Sequence, residues 1–452
     1  MQVQIPKKEN RENKMGTMSI PKLVLSMSIP IMISMVVQSM YNIVDSIFVA
    51  RINEAALTAT SLAYSAQMLQ IAVAVGTGVG TNALVSRKLG QKHFEEAGEA
   101  ATTGLLLTLA SSLIFVLWGL FGSRAFIAMF TDDPVIRGYG VTYLSICQIY
   151  ATGIFLGTFF QRMLQATGRT VSSMAAQMAG ALVNLILDPI LIFGYLGCPE
   201  MGIAGAAVAT VIGQWSAAVF GLILHITLNK ELRFKGRGFR LKGYHVAAIY
   251  KVGAPTILTQ AFGSIMIALM NMVLILFSST AVAFFGVYFK LQSFLFMPLN
   301  GLGQGSLPIV GYNFGAKKPD RIKETLRTTI RYALCIAAAG VVIFMAAPGL
   351  LLDAFDASAA MKELGIPALR IISIGFLPAS VTMMIGYGIS GLGNGMVNMI
   401  STALRQCVIL LPCVLALGKA GGVGWVWFAF WISEGCAVIY ALLQLKKRLS
   451  DF

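Results

Sequence analysis

Apolar runs long enough to cross a bilayer recur along the whole chain, separated by short polar and mostly basic breaks. A membrane-spanning helix takes about 20 residues. On that measure the runs predict spans at 23–50, 57–85, 100–121, 138–160, 171–195 and 202–228, then a polar linker at 229–245. Further spans follow at 246–277, 281–311, 326–347, 364–388, 396–418 and 422–445. Residues 1–22 read as a basic tail and 446–452 as a second tail. The expected architecture is an all-α integral membrane protein of twelve transmembrane helices in two six-helix bundles, 23–228 and 246–445. The eighth and tenth spans are the least regular, because they carry Lys290 with Pro298 and Arg370.

The two halves repeat each other. A constant shift of 225 lays Pro30 on Pro255, Gly76, Gly78 and Gly80 on Gly301, Gly303 and Gly305, Gly90 on Gly315, Lys92 on Lys317 and Gly168 on Gly393. Near the end the shift becomes 220, so that Gly202 meets Gly422. Six spans per half is an even number, so both halves enter the membrane from the same side. The repeat is therefore parallel, about an axis along the membrane normal, with a site expected between the halves near the midplane. The glycines at 76, 78 and 80 look like a fragment of a phosphate loop, but that fingerprint needs a preceding strand. Close helix packing or a flexible helix is the reading they support, and the GxxxG of Gly153 and Gly157 points the same way.

Within the first span, Gln38, Asn42 and Asp45 recur at i, i+4 and i+7 and form one polar stripe on a helix. Asp45 is the only ionisable residue between Lys22 and Arg51. An embedded carboxylate costs roughly 2.5–3.5 kcal/mol to insert, so it usually faces a cavity or partner and marks an ion or proton route. The plainer alternative is a structural hydrogen-bonding residue near the helix end. The fifth span carries a second stripe, Gln177, Asn184 and Asp188, followed by Pro189, which removes a backbone donor and is expected to bend the helix. At 1.5 Å per residue, Asp45 lies roughly 33 Å, and Asp188 roughly 26 Å, along its span. Both therefore sit in the same half of the membrane and can meet. Two adjacent carboxylates cannot both be charged cheaply, so a proton or a cation should accompany such a pair. Their counterparts in the repeat are Met270 and Cys413, which confines the pair to the first half.

The second half carries the opposite charge. Lys290, Arg370 and Arg405 fall on Ser65, Ser145 and Gly180 of the first half. Glu434 in the last span either neutralises Arg405, at a similar height on the preceding span, or the two serve separate snorkelling or cavity roles. Lys290 and Arg370 either line a cavity or balance its charge.

Composition then narrows the class. Hydrophobic residues are 57% of the chain and charged residues 12%, about half the charged share of a soluble domain. A net charge of +15 would suggest nucleic acid in a soluble chain, but its distribution makes it a matter of topology. Of 34 Lys and Arg, 24 fall in the two tails, the linker and the loops after spans two, four and eight; Arg162 and Arg169 are counted in the loop after span four. Only five (Arg51, Arg124, Arg137, Lys362, Lys419) fall on the other side. The bias predicts that both termini and the linker are cytoplasmic, in a cell inner membrane. Six cysteines without a CxxC and three unclustered histidines predict no disulfide framework and no metal centre. Neither a zinc-hydrolase helix nor a nucleotide P-loop is present, so no enzyme, cofactor or nucleic-acid partner is expected.

Three stretches carry a family resemblance: Tyr41-Asn42-Ile43-Val44-Asp45 in the first span, Asn184 to Asp188-Pro189 in the fifth, and Pro308-Ile309-Val310-Gly311-Tyr312-Asn313-Phe314-Gly315-Ala316 closing the eighth. With the six-plus-six repeat, over nearly the whole chain, they resemble the multidrug and toxic compound extrusion (MATE) transporters, in particular the DinF-like bacterial branch. The resemblance implies two bundles in a V, alternating access, and export of lipophilic, often cationic drugs against entering protons or sodium. It implies that Asp45 and Asp188 are the coupling carboxylates, with Asn184 beside a proton or sodium ion, and that Gln38, Tyr41, Asn42 and Gln177 are neighbours of the site. Thr210 resembles a cation-site hydroxyl, and Gln161 stands where relatives often carry asparagine. Another branch places acids in the second half, but the aligned seventh span has Lys251 and no acid. Small-molecule drugs and the lipid bilayer are the expected partners, and the chain is expected to act as a monomer. One rival is a lipid-linked precursor flippase of the same superfamily, which often has fourteen spans and a more cationic cavity. The other is a channel or structural membrane protein, against which the one-sided carboxylates and the unbroken repeat argue.

Overall fold

Among the described residues, ten helices of the computed structural model are long and apolar enough to cross a membrane, and two bent pairs bring the total to twelve. The structure describes residues 13–236, 239–355 and 357–450. The first half comprises Ile20–Ala50, Glu54–Gly90, Phe94–Phe121, the pair Pro134–Ile149 and Thr152–Ala166, Thr170–Phe193 and Ile203–Leu228. The second comprises Gly243–Leu274, Ser279–Gly315, Pro319–Ala346, the pair Ala359–Ile374 and Phe376–Gly391, Met396–Gly421 and Val423–Leu449. Every expected span has its helix. The fourth and tenth are bent, by 47° and 42°, at counterpart places in the repeat. The second and eighth overrun their expected ends to Gly90 and Gly315, so Arg87 and Lys88 lie on a last helical turn and not in a loop. The fifth carries its helix unbroken through Pro189; packed neighbours let a membrane helix tolerate a proline.

The backbone repeats as the sequence does. Lys92 and Lys317 share a left-handed conformation, with φ of 61° and 56°, and so do Gly168 and Gly393, at 83° and 88°. The contacts between the halves are reciprocal in the same register. A Cβ on Gly90 would strike the Tyr312 carbonyl, and one on Gly315 the carbonyl of Arg87, the counterpart of Tyr312. Gly76 packs against Ile257, and its counterpart Gly301 against Met32, the counterpart of Ile257. The glycine clusters are thus close-packing surfaces at a two-fold crossing, where backbones approach only if no side chain intervenes.

These crossings all lie towards the end that carries the basic loops. There Leu23, Met27, Leu84 and Leu89 of the first half share one core with Leu299, Leu302, Ile309 and Tyr312 of the second. Towards the opposite end, Val49, Ala59, Ala63, Leu144 and Ile203 pack only within the first half. Met270, Phe284, Phe285, Leu369 and Trp427 pack only within the second. The molecule is therefore a V, sealed at its basic end and parted at the other.

The described part of the basic tail and the linker are docked on that seal. Lys7, Lys8 and Arg11 of the tail, and Arg237 of the linker, lie outside the described residues. The rest of the tail forms the short helix Lys14–Thr17 and bridges the halves. Asn13 Nδ2 donates to the Thr167 carbonyl at 3.1 Å, while Asn313 and Arg321 donate to the Met15 carbonyl at 3.0 and 3.1 Å. Asn313, within the stretch that closes the eighth span, therefore holds the seal. In the linker, Lys235 and Lys242 reach Glu99 at 2.8 and 2.5 Å, and the bond to Glu99 raises the Lys235 pKa above its ordinary value.

Candidate functional site

The two polar stripes face each other within the first half. Gln177 Nε2 donates to Gln38 Oε1 at 3.2 Å, and Gln38 Nε2 donates to Asn42 Oδ1 at 3.4 Å. About two turns beyond Gln38 and three beyond Gln177, the carboxyl groups of Asp45 and Asp188 lie close enough to interact. Asp188 is fully buried, Asn184 is 2% exposed and Asp45 is half-buried. Asn184 Nδ2 donates to Asp188 Oδ1 at 3.2 Å. This fixes the amide, so that Asn184 Oδ1 points away from that bond.

Local packing explains why the fifth and sixth spans can enclose Asp188. Gly213 lies against Asn184 Cβ and Gly205 against the backbone at 191–192. Thr210 falls between those two contacts on an antiparallel helix, level with Asp188. Four buried oxygens, Asp45 Oδ1, Asp188 Oδ2, Asn184 Oδ1 and Thr210 Oγ1, have no hydrogen-bond partner among the described residues. Buried polar atoms are rarely left so. An all-oxygen set of carboxylates, an amide and a hydroxyl suits a hard monovalent cation, and the paired carboxylates equally suit a shared proton.

The structure adds residues that the sequence pattern did not single out. Tyr143 and Cys147, on Pro134–Ile149, lie within electrostatic reach of Asp45, as does the expected neighbour Tyr41, and Gln67 lies beside both Tyr143 and Cys147. Their i, i+4 spacing was the one available signal, and uncharged side chains in an apolar span do not stand out. Gln161 is half-buried and forms no hydrogen bond to the aspartates.

Its neighbour Arg162 corrects the loop count. It sits inside Thr152–Ala166, 8% exposed, and donates from Nη1 to Gln165 Oε1 at 3.0 Å and across the halves to Gln304 Oε1 at 2.8 Å. The span simply runs further than its apolar stretch, ending at Ala166, and carries the guanidinium with it.

In the second half, the positions matching the aspartates are apolar in their packing: Met270 is fully buried, and Cys413 packs against the same cluster. Arg405 and Glu434 do pair, with Nε 3.1 Å from Oε1 and both side chains under 10% exposed. A π-turn at Leu404–Val408 aims Arg405 inward. The approach is an ion contact and not an aligned hydrogen bond, and Glu434 Oε2 has no partner among the described residues. Lys290 and Arg370 are both exposed. Lys290 lies 5.9 Å over the Phe355 ring, and Arg370 Nε donates at 3.3 Å to the Met345 carbonyl at a helix end, where a cation is favoured. Breaking a buried pair from one side leaves an uncompensated charge and costs about 3–5 kcal/mol, while replacing both partners by apolar groups is often neutral. Arg405→Met should therefore lower the melting temperature sharply, and Arg405→Met with Glu434→Leu should recover most of the loss in a thermal-shift measurement.

Comparisons with known proteins bear on the family and the fold. A family model described as MatE matches residues 30–190 and 255–415, one block in each half. The multidrug export protein MepA of Staphylococcus haemolyticus is 24% identical over 444 residues, covering 96% of this chain and 95% of its own. MepA of Staphylococcus aureus is 23% identical over 434 residues, with 95% of each chain covered. Among solved structures, an outward-facing multidrug resistance MATE transporter of the MOP superfamily superposes with a TM-score of 0.90 at 25% identity, covering 98% of this chain and 99% of the other. A MOP superfamily transporter from Pyrococcus furiosus gives 0.89 at 23% identity, with the same coverage.

Proposed function

The chain belongs to the MatE family of transporters, and on that premise we propose that it is a cation-coupled antiporter that exports lipophilic small molecules across the inner membrane by alternating access. The observation that carries the reading is the carboxylate pair. Asp45 and Asp188 meet in the half of the molecule that the cleft opens, beside buried oxygens that lack protein donors. The basic loops support a cytoplasmic seal, so the cleft faces outward and the pair is open to an entering proton or sodium ion.

In this scheme an unoccupied pair, two charges side by side, favours the arrangement that accepts substrate from the cytoplasmic side. An entering cation neutralises the pair, and the first and fifth spans repack together. Substrate affinity then falls and the molecule leaves outward. A cation can drive the change only by binding the two arrangements differently, so cation and substrate must weaken each other's binding by one common factor. The repacking helices also carry Gln38 and Gln177, whose 3.2 Å bond reports their relative position.

The test is efflux in inverted vesicles, driven separately by a proton gradient and by a sodium gradient. Substrate accumulation under one gradient and none without either is expected; saturation-free flux under neither gradient points to a channel. Orientation has its own check. Cysteines placed in the 122–137 loop should label from outside intact cells and cysteines in the 229–245 linker should not. Labelled linker cysteines would invert the scheme.

A further inference from the structure

We propose that Arg162 is an anion-recognition residue at the floor of the cleft, and that the exported amphiphile carries a carboxylate. The inference rests on the reading of the cleft as the substrate route.

Arg162 stands just above the seal. Its Cγ packs over Gly78, and at the counterpart place in the second half the Tyr387 ring packs over Gly303. Arg162 and Tyr387 are themselves counterparts under the shift of 225, so the two residues flank the pseudo-two-fold axis. Gln304 lies eleven residues before Gly315, roughly 16 Å up its helix from the basic end. Asp45 lies five residues before Ala50, roughly 8 Å from the other end of its own span. Arg162 and the carboxylate pair therefore occupy different depths of one cleft, and no acidic residue of the pair serves as its counter-ion.

The guanidinium is 8% exposed, yet both of its hydrogen-bond acceptors, Gln165 and Gln304, are neutral. Both bonds leave from Nη1, so Nε and Nη2 have no acceptor among the described residues. An arginine stays charged throughout the physiological range and cannot relieve its burial by losing a proton. A structural latch would be expected to satisfy the fork with a carboxylate from the facing half. Among the described residues, the groups that the facing half presents beside it are neutral and half-buried: Gln304, Asn300 and Tyr387. Tyr387 donates to Asn300 Oδ1 at 3.0 Å, and the Gln304 amide lies between the Tyr387 oxygen and Met35 Sδ, the latter at 3.9 Å from Nε2. The N–H groups on Nε and Nη2 are thus left over on one buried positive charge. A carboxylate takes two parallel N–H bonds from one guanidinium in a planar pairing, and its single charge matches the single one present. Because Gln304 lies across the cleft from Arg162, an acid bound there touches both halves, and its hold changes when they move.

Three pyrene probes of one size test this: pyrenebutyrate, pyrenebutanol and pyrenebutylamine, which at pH 7 are anionic, neutral and cationic. Their gradient-driven transport is measured with the full chain in phosphatidylcholine vesicles. Wild type should carry pyrenebutyrate at the lowest half-saturating concentration. Arg162→Gln should raise that concentration by about tenfold or more, as loss of a charge-assisted pair does, and change that of pyrenebutanol far less. Arg162→Lys, which keeps the charge and loses the fork, should fall between. Wild type without preference for the acid overturns the inference, as does an Arg162→Gln that weakens all three probes alike, the signature of a latch. Should Arg162→Gln fail to fold, the ranking of the three probes on wild type decides. Transport of pyrenebutanol with no preference for the acid rejects the inference and keeps the exporter, whereas transport of no probe rejects the exporter as well.

Discussion

Asp45→Asn and Asp188→Asn are each expected to reach the membrane in normal amount and to lose gradient-driven efflux. The first outcome follows from solvation: exchanging an embedded carboxylate for an amide relieves part of an insertion cost of roughly 2.5–3.5 kcal/mol. Asp45 is half-buried and Asp188 fully buried, so the relief is larger for Asp188. The second outcome follows from linkage. A coupling free energy of about 1–3 kcal/mol corresponds to a roughly 5–150-fold change in one ligand's affinity on binding the other. An amide neither takes up a proton nor supplies a charge to hold sodium, so that factor collapses towards one. Efflux from vesicles under an imposed gradient should fall to the protein-free level in both variants, with membrane content measured in the same preparation. Wild-type efflux from Asp45→Asn would return Asp45 to a structural role near its helix end.

Much of this was legible in the sequence because membrane helices advertise themselves by apolar length and basic loops. The polar stripes could be read because a single carboxylate in an apolar run is conspicuous, and helix rise alone put Asp45 and Asp188 at matching depth. The repeat register was legible to the residue, down to the paired left-handed backbones of Lys92 and Lys317. What escaped was set by tertiary packing. Arg162 read as a loop residue because a charge normally ends a span, and only the packed structure shows that Gly78 and Gln165 of its own half and Gln304 of the other accommodate it. Pro189 sits inside a fifth span whose helix continues through it, held by its packed neighbours. Arg370 sits in an apparently apolar span, and only the bent geometry shows its guanidinium capping the helix end at Met345. Tyr143, Cys147 and Gln67 gave no charge signal, and their nearness to Asp45 depends on how the second and fourth spans pack.

The second expected result is antagonism between cation and substrate on the isolated protein, with no membrane gradient present. Neutralising the pair removes the repulsion between Asp45 and Asp188, and the arrangement that is favoured afterwards holds substrate less tightly. Linkage then requires substrate affinity to fall as protons or sodium rise, by the same factor with which substrate weakens the cation. Pyrenebutanol suits the measurement, since a probe without an ionisable group leaves all pH dependence to the protein. Its binding is titrated on purified wild type, Asp45→Asn and Asp188→Asn across pH at fixed sodium and across sodium at fixed pH. The account predicts that wild-type affinity drops as either cation rises and that each single variant flattens the dependence. If both variants keep the full wild-type dependence, the carboxylate pair is not the coupling site, and Glu434 is the next embedded carboxylate to test.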